Sequence, residues 1–138
     1  MKAMMKKASF AAAVFAFAML VAAPLVSAQT VSECQAIIAN LKAKTQTVAI
    51  SGKNAEKDRA GLTLKLDEAT LKIDQAKFCD AIQKLNDFKV RVNQLVAAGK
   101  INQDPALGTT GQELLTDADA AINCLNNLVT QSGTVCSF

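Results

Sequence analysis

An apolar stripe of helical periodicity runs through residues 74–100 and constrains the fold more than any other feature of the chain. Its main members lie at helical spacings and are Phe78, Ile82, Leu85, Val92 and Val96, and the stripe is widened by Phe88 and Leu95. This spacing places one apolar band along a long helix. Gly99 follows as a helix stop, because glycine adopts a left-handed backbone conformation at little cost. Since such a band must be covered by other segments, the sequence predicts a packed helical domain.

Three further segments share this periodicity and complete a predicted four-helix bundle. Thr30 with Glu33, and Thr110 with Glu113, have the spacing of capping boxes at helix starts. Asn54 and Asp74 are candidate caps for the second and third helices. Short connections make consecutive helices antiparallel neighbours. The predicted fold is therefore all-α, a small up-down antiparallel bundle whose helices span about residues 31–50, 55–73, 76–98 and 111–130.

Two alternatives stay open around the second helix. Residues 62–66, LTLKL, alternate with a period of two, which is also typical of a strand. The helical continuation to Ile73 and the lack of a partner strand favour the helix. Asp74 and Gln75 carry no Gly or Pro between them and the third helix, so one continuous bent helix is an alternative to a turn.

Residues 1–28 have the plan of a secretory signal peptide. Three lysines precede an uninterrupted apolar stretch at residues 10–21, Pro24 ends it, and small residues lead to a cleavage site after Ala28. An uncleaved membrane anchor is the alternative, and Pro24 with the cleavage site favours removal. The sequence predicts a secreted or periplasmic domain of residues 29–138, with no membrane contact once the signal is removed.

The basic balance of the chain belongs to this leader. The whole chain has a formal net charge of +3, whereas residues 29–138 carry twelve basic and twelve acidic side chains. Charge therefore gives no reason to expect nucleic acid or an anionic membrane as a partner. All charged side chains of residues 101–138 are acidic. They either complement the charges of the neighbouring helices or face a basic partner, and we favour the first interpretation. These acidic residues are Asp104, Glu113, Asp117 and Asp119.

Four cysteines, an even number in an exported chain, predict two disulfides. The bundle places Cys34, Cys79, Cys124 and Cys136 at one end. Three pairings exist. We prefer Cys79–Cys124, which joins neighbouring helices at similar heights, with Cys34–Cys136 joining the termini. A redox-active pair is the alternative, but no C-x-x-C motif is present.

Residues 62–125 contain a series of apolar positions that resembles a known module. The most distinctive part is the L-x-x-F-x-x-x-V run from Leu85 to Val92. The other matching positions are Leu62, Leu66, Ala69, Ile73, Ala81, Gly99, Lys100, Gln103, Leu114, Ala118, Ala121 and Ile122. The pattern resembles FIMAH, a helical unit attached to various exported bacterial proteins, which has no well-defined activity.

The resemblance to FIMAH implies a fold and no catalytic residues. It also favours a tight turn between the second and third helices. This chain departs from the family at Asp74-Gln75, where the family usually has a glycine turn, and in its longer loop before Thr110. The first helix and the four cysteines lie partly outside the resemblance.

The composition excludes several kinds of chemistry. The chain has no histidine, so it holds no Ser-His-Asp or Cys-His arrangement and no E-x-x-H di-iron pair. The cysteine spacings are poor for zinc. Asp117 and Asp119 diverge on a helix, so we favour a solvated surface over a metal site there. The sequence predicts no catalytic, cofactor or metal site.

Two functions of different class follow from these observations. The first is a non-catalytic interaction or structural module that acts through its surface on an unknown protein or polysaccharide; its oligomeric state stays open. The second is a carrier that holds a small apolar ligand between its helices. Small residues at predicted core positions either leave space for a ligand or allow the helices to pack closely. These residues are Ala69, Ala81, Ala118 and Ala121.

Overall fold

The computed structural model describes residues 29–138 and confirms the predicted all-α bundle of four helices. The predicted signal peptide at residues 1–28 lies outside this range. None of the described helices has the length and apolar character needed to cross a bilayer. The helices are α1 (Val31–Thr47), α2 (Ala55–Asp74), α3 (Phe78–Ala97) and α4 (Gly111–Gln131), with a 3₁₀ turn at Pro105–Leu107.

The helices form a ring in which α1 packs on α2, α2 on α3, α3 on α4 and α4 on α1. Side-chain pairs between helices give the direction of each neighbour. Gln35 near the start of α1 donates a hydrogen bond to Asp74 at the end of α2, and Arg91 near the end of α3 binds Asp58 near the start of α2. Gly111 at the start of α4 lies against Val96 near the end of α3. Consecutive helices are therefore antiparallel.

Both predicted capping boxes are present. The Thr30 hydroxyl accepts a hydrogen bond of 3.2 Å from the Glu33 backbone N–H, and the Glu33 carboxylate accepts one from the Thr30 backbone in return. Thr110 and Glu113 form the same pair of bonds at the start of α4. Each box satisfies backbone donors that a helix start leaves without partners.

The predicted turn between α2 and α3 is present, but its predicted cap is wrong. Asp74 is the last residue of α2, and its carboxylate binds Gln35 instead of the start of α3. The chain reverses at Ala76, which adopts a φ of 57° without being a glycine. Asn54 occupies the predicted cap position of α2, but its side chain makes no capping hydrogen bond, because its ψ of 16° is far from the extended conformation that lets a capping side chain reach the helix.

The first helix ends at Thr47, three residues earlier than the periodicity predicts. The reason is a pairing between the two loops at that end of the bundle. Ile50 and Ile101 form an antiparallel bridge, flanked by backbone hydrogen bonds of 2.7 Å and 2.9 Å. Ile101 is buried in the core, so the bridge closes this end of the bundle.

The core runs the length of the bundle and is closely packed. The four alanines that left room for a ligand in the carrier hypothesis are fully buried within it. Gly111, the first residue of α4, lies so close to α3 that an added Cβ would be 2.8 Å from a methyl group of Val96. The largest fully buried side chains are Phe88, Ile38, Leu41, Leu62, Leu66, Leu85, Leu114 and Leu125.

Candidate functional site

The structure joins all four cysteines in two disulfides, but the pairing predicted from the sequence is wrong. Cys34 pairs with Cys124, and Cys79 pairs with Cys136. We call these the inner and the outer disulfide. Both cysteines of the inner disulfide are buried in the core, whereas those of the outer disulfide are partly exposed. None of the four cysteines is a free thiol.

The orientation of side chains around each helix axis, as much as their height along it, decides this pairing. Cys34 and Cys124 both lie on core-facing stripes, of the adjacent helices α1 and α4, so their sulfurs meet inside the bundle. Helix α4 continues for seven residues beyond Cys124. Gly133, with a φ of 73°, then turns the tail back toward the start of α3, where Cys79 lies.

The acidic side chains of α4 form ion pairs with neighbouring helices. Asp117 lies 2.7 Å from the Lys44 ammonium of α1, with Glu113 at 3.8 Å. Asp119 pairs with Lys89 of α3. The hydrogen bond from Lys44 to Asp117 is the main reason that the pKa of Lys44 lies above its ordinary value. Most of the negative charge of residues 101–138 therefore complements the bundle itself, as we favoured from the sequence.

An ion pair of unequal exposure links α2 to α3. The Asp58 side chain is only 7% exposed, and its Oδ1 lies 2.7 Å from Nη2 of Arg91, which is 46% exposed. The Asp58 Oδ2 atom is buried and has no hydrogen-bond partner. Its position in the first turn of α2 is favourable for a negative charge, because a helix start carries a partial positive charge. Arg91 is nevertheless the only side chain among the described residues that pairs with this carboxylate.

Two other cations link α2 to its neighbouring helices. Nη1 of Arg59 donates hydrogen bonds to the backbone carbonyls of Thr45, Gln46 and Val48, and so caps the end of α1. Lys84 of α3 lies 3.1 Å from the Glu68 carboxylate. This contact is the main reason that the pKa of Glu68 lies below its ordinary value.

A groove of about 510 Å³ runs along the outer surface between α2 and α3. We call it the α2–α3 groove. Its apolar part is formed by Ala60, Gly61, Leu64 and Val90, and Leu64 and Val90 are each more than half exposed. The polar side chains around it are Lys57, Lys65, Asp87, Arg91 and Gln94.

The sequence analysis placed Leu64 on the flank of α2 but did not identify this groove. The position of its basic side chains depends on contacts between residues far apart in the chain, such as the ion pair of Arg91 with Asp58. The sequence signal for the groove is Gly61, a glycine in a segment of helical periodicity, which lies three residues before Leu64, an apolar residue outside the core-facing stripe.

A second groove, of about 470 Å³, lies beside the outer disulfide. Phe78 and Cys79 of α3 line one side, and Val129 and Thr134 line the other. The disulfide-bound tail forms part of its wall, so its shape depends on that bond.

The described residues present no grouping of three or more carboxylate or cysteine side chains that would suit a metal ion. Asp117 and Asp119, the pair weighed as a metal site from the sequence, contact different helices through Lys44 and Lys89. The candidate functional site that the described residues offer is the α2–α3 groove, an apolar concave part of the surface.

Comparison with known proteins adds no relative. No protein-family model, no curated protein and no solved structure matches this chain.

Proposed function

We propose that this chain is an exported, non-catalytic helical module that acts by binding a partner through its surface. In this proposal residues 1–28 are a signal peptide removed after Ala28, and residues 29–138 are the working domain. The two disulfides support an oxidising compartment, because such bonds persist outside the reducing cytosol. The resemblance of residues 62–125 to FIMAH stays a prediction, and it fits a helical unit without catalytic residues.

The α2–α3 groove is the observation that carries this proposal. The bundle already has a continuous buried core, so Leu64 and Val90 contribute little to it and remain exposed. An apolar concavity rimmed by charged side chains is typical of a surface that another molecule covers. The partner class is a protein or polysaccharide surface.

The test is a pull-down experiment. The purified domain, with both disulfides formed, is immobilised and exposed to the exported fraction of the cells that produce this protein. We expect one protein or polysaccharide to be retained reproducibly and released by excess free domain. The control is the same domain after reduction and alkylation, which should retain nothing specific.

Native mass spectrometry of the same preparation tests the alternative, a carrier of a small apolar ligand. A stoichiometric small molecule in the absence of any retained macromolecule would contradict the interaction module and support the carrier.

A further inference from the structure

The centre of the α2–α3 groove is open because Gly61 has no side chain. Gly61 lies inside α2, its φ is not positive, and a Cβ built on it meets no atom within 4 Å. Neither backbone conformation nor packing requires glycine here, although glycine weakens a helix interior relative to alanine. Gly111 contrasts with it, because α3 leaves no space for a side chain there. The residue at position 61 thus keeps a space open to solvent.

The charges around this space are mainly positive. Lys57, Lys65 and Arg91 line the groove, and Asp87 is the one carboxylate among its lining residues. Arg91 and Lys65 are held in place by Asp58 and Glu68, at 2.7 Å and 3.7 Å. Lys57 is exposed and makes no ion pair within residues 29–138. Among the side chains that line the groove, cations therefore outnumber carboxylates by three to one, and Lys57 is the cation whose charge is free for a partner.

The groove is also short. Its lining residues span nine positions of α2 and eight of α3, or roughly 12 Å at the rise of an α-helix. That length accommodates about two turns of a partner helix. A single apolar side chain over Gly61, between Leu64 and Val90, would fill the centre.

We propose that the α2–α3 groove binds a short acidic segment of a partner protein that inserts one aliphatic or aromatic side chain over Gly61. This inference rests on the proposed interaction module and specifies its site and partner. Carboxylates of the segment pair with Lys57 and Arg91, while the inserted side chain covers Leu64 and Val90. Complementary charge steers such a segment and sets its register.

A second copy of this chain fits the groove less well. The acidic side chains of α4 are already paired with Lys44 and Lys89. Helix α4 of a second copy therefore offers no unpaired carboxylate to this rim. Dimerisation through the groove is an outcome that the test must detect.

The probes are three fluorescein-labelled peptides of 15 residues: an amphipathic helix with leucine anchors and glutamate flanks, the same peptide with each glutamate replaced by lysine, and the acidic peptide with each leucine replaced by serine. Binding to the protein purified from cells expressing the full chain is followed by fluorescence anisotropy. Amide chemical shifts of the ¹⁵N-labelled protein locate the contact. We expect the leucine–glutamate peptide to bind at least about tenfold more tightly than either of the others, with shifts at Gly61, Leu64 and Val90.

Two matched pairs of variants locate the effect. Lys57→Glu should weaken binding by about tenfold, while Lys100→Glu, the same charge change in an exposed loop, should not. Gly61→Met fills the groove without losing core packing, so it should abolish binding while the protein stays folded. Gly61→Ala leaves most of the space and should retain binding.

Equal binding of all three peptides, shifts elsewhere on the bundle, or full binding by Gly61→Met would overturn the groove proposal. So would a dimer, detected by sedimentation, that Gly61→Met dissociates. The retention experiment separates this failure from that of the proposed function. If the Gly61→Met variant still retains the partner, the protein is an interaction module, but its binding site lies outside the groove.

Discussion

Removing the charge of Arg91 should destabilise the bundle more than removing the charge of Asp58. In Arg91→Met the aliphatic part of the side chain is kept, but the Asp58 carboxylate, only 7% exposed, loses its sole side-chain partner. Breaking a buried ion pair from one side costs about 3–5 kcal/mol. Arg91 is 46% exposed and the start of α2 favours a negative charge, so we expect a smaller cost, about 2–3 kcal/mol.

The reverse change, Asp58→Asn, leaves Arg91 without its anionic partner, but water reaches that guanidinium. The asparagine amide also still accepts a hydrogen bond, so the expected cost is about 1 kcal/mol. The assay is urea unfolding followed by circular dichroism, with both disulfides intact. At an m value of about 1.5 kcal/mol/M, Arg91→Met should lower the midpoint by roughly 1.3–2 M.

The control for this pair is Lys57→Met, which removes an exposed cation without an ion pair from the same face and should change stability by less than about 0.5 kcal/mol. The double variant Asp58→Asn/Arg91→Met should be more stable than the sum of the two single costs predicts, because no buried charge then lacks a partner. A cost below about 1 kcal/mol for Arg91→Met, or an equal cost for both single variants, would refute this reasoning.

Three further predictions address other parts of the bundle. Limiting reductant followed by alkylation and mass spectrometry should label the partly exposed outer disulfide well before the inner one, and equal labelling would contradict the burial difference. Gly61→Ala should raise the free energy of unfolding by up to about 1 kcal/mol, and Gly111→Ala should lower it because its Cβ would meet Val96 at 2.8 Å; thermal unfolding gives the sign of each. The lowered pKa of Glu68 means that its stabilising effect is complete above the unfolded pKa of about 4.3 and is lost as pH falls through the folded pKa. Acid should therefore destabilise the wild type more than the Glu68→Gln variant. Equal losses of unfolding free energy by the two proteins, in denaturation experiments from about pH 6 to pH 2, would contradict this.

The sequence predicted the helices well, because periodicity and caps act over a few residues. The capping box of Thr110 and Glu113 predicts the first residue of α4 correctly. The buried residues of α3 belong to the apolar stripe that the sequence predicts. The end of α1 was missed because the bridge between Ile50 and Ile101 joins positions about fifty residues apart. No local pattern reports such a pairing.

The disulfide pairing failed for a related reason. Height along a helix can be counted from the sequence, but here orientation around the axis decided the partner. Cys124 lies among the core positions Ala121, Leu125 and Leu128, which indicates an inward-facing sulfur. Cys34 has the same relation to Ile38 and Leu41. Comparing the two stripes would have favoured the observed inner disulfide.

Photo-crosslinking in the cells that produce the protein tests most directly whether the groove is the binding surface. Leu64 of the α2–α3 groove is replaced by the photoreactive residue p-benzoylphenylalanine, and Asn123, exposed on α4, is replaced in the control. We expect one protein adduct from position 64, absent from position 123 and lost when Gly61→Met is added. Adducts from position 123 alone, or an adduct from position 64 that survives Gly61→Met, would contradict binding through this groove.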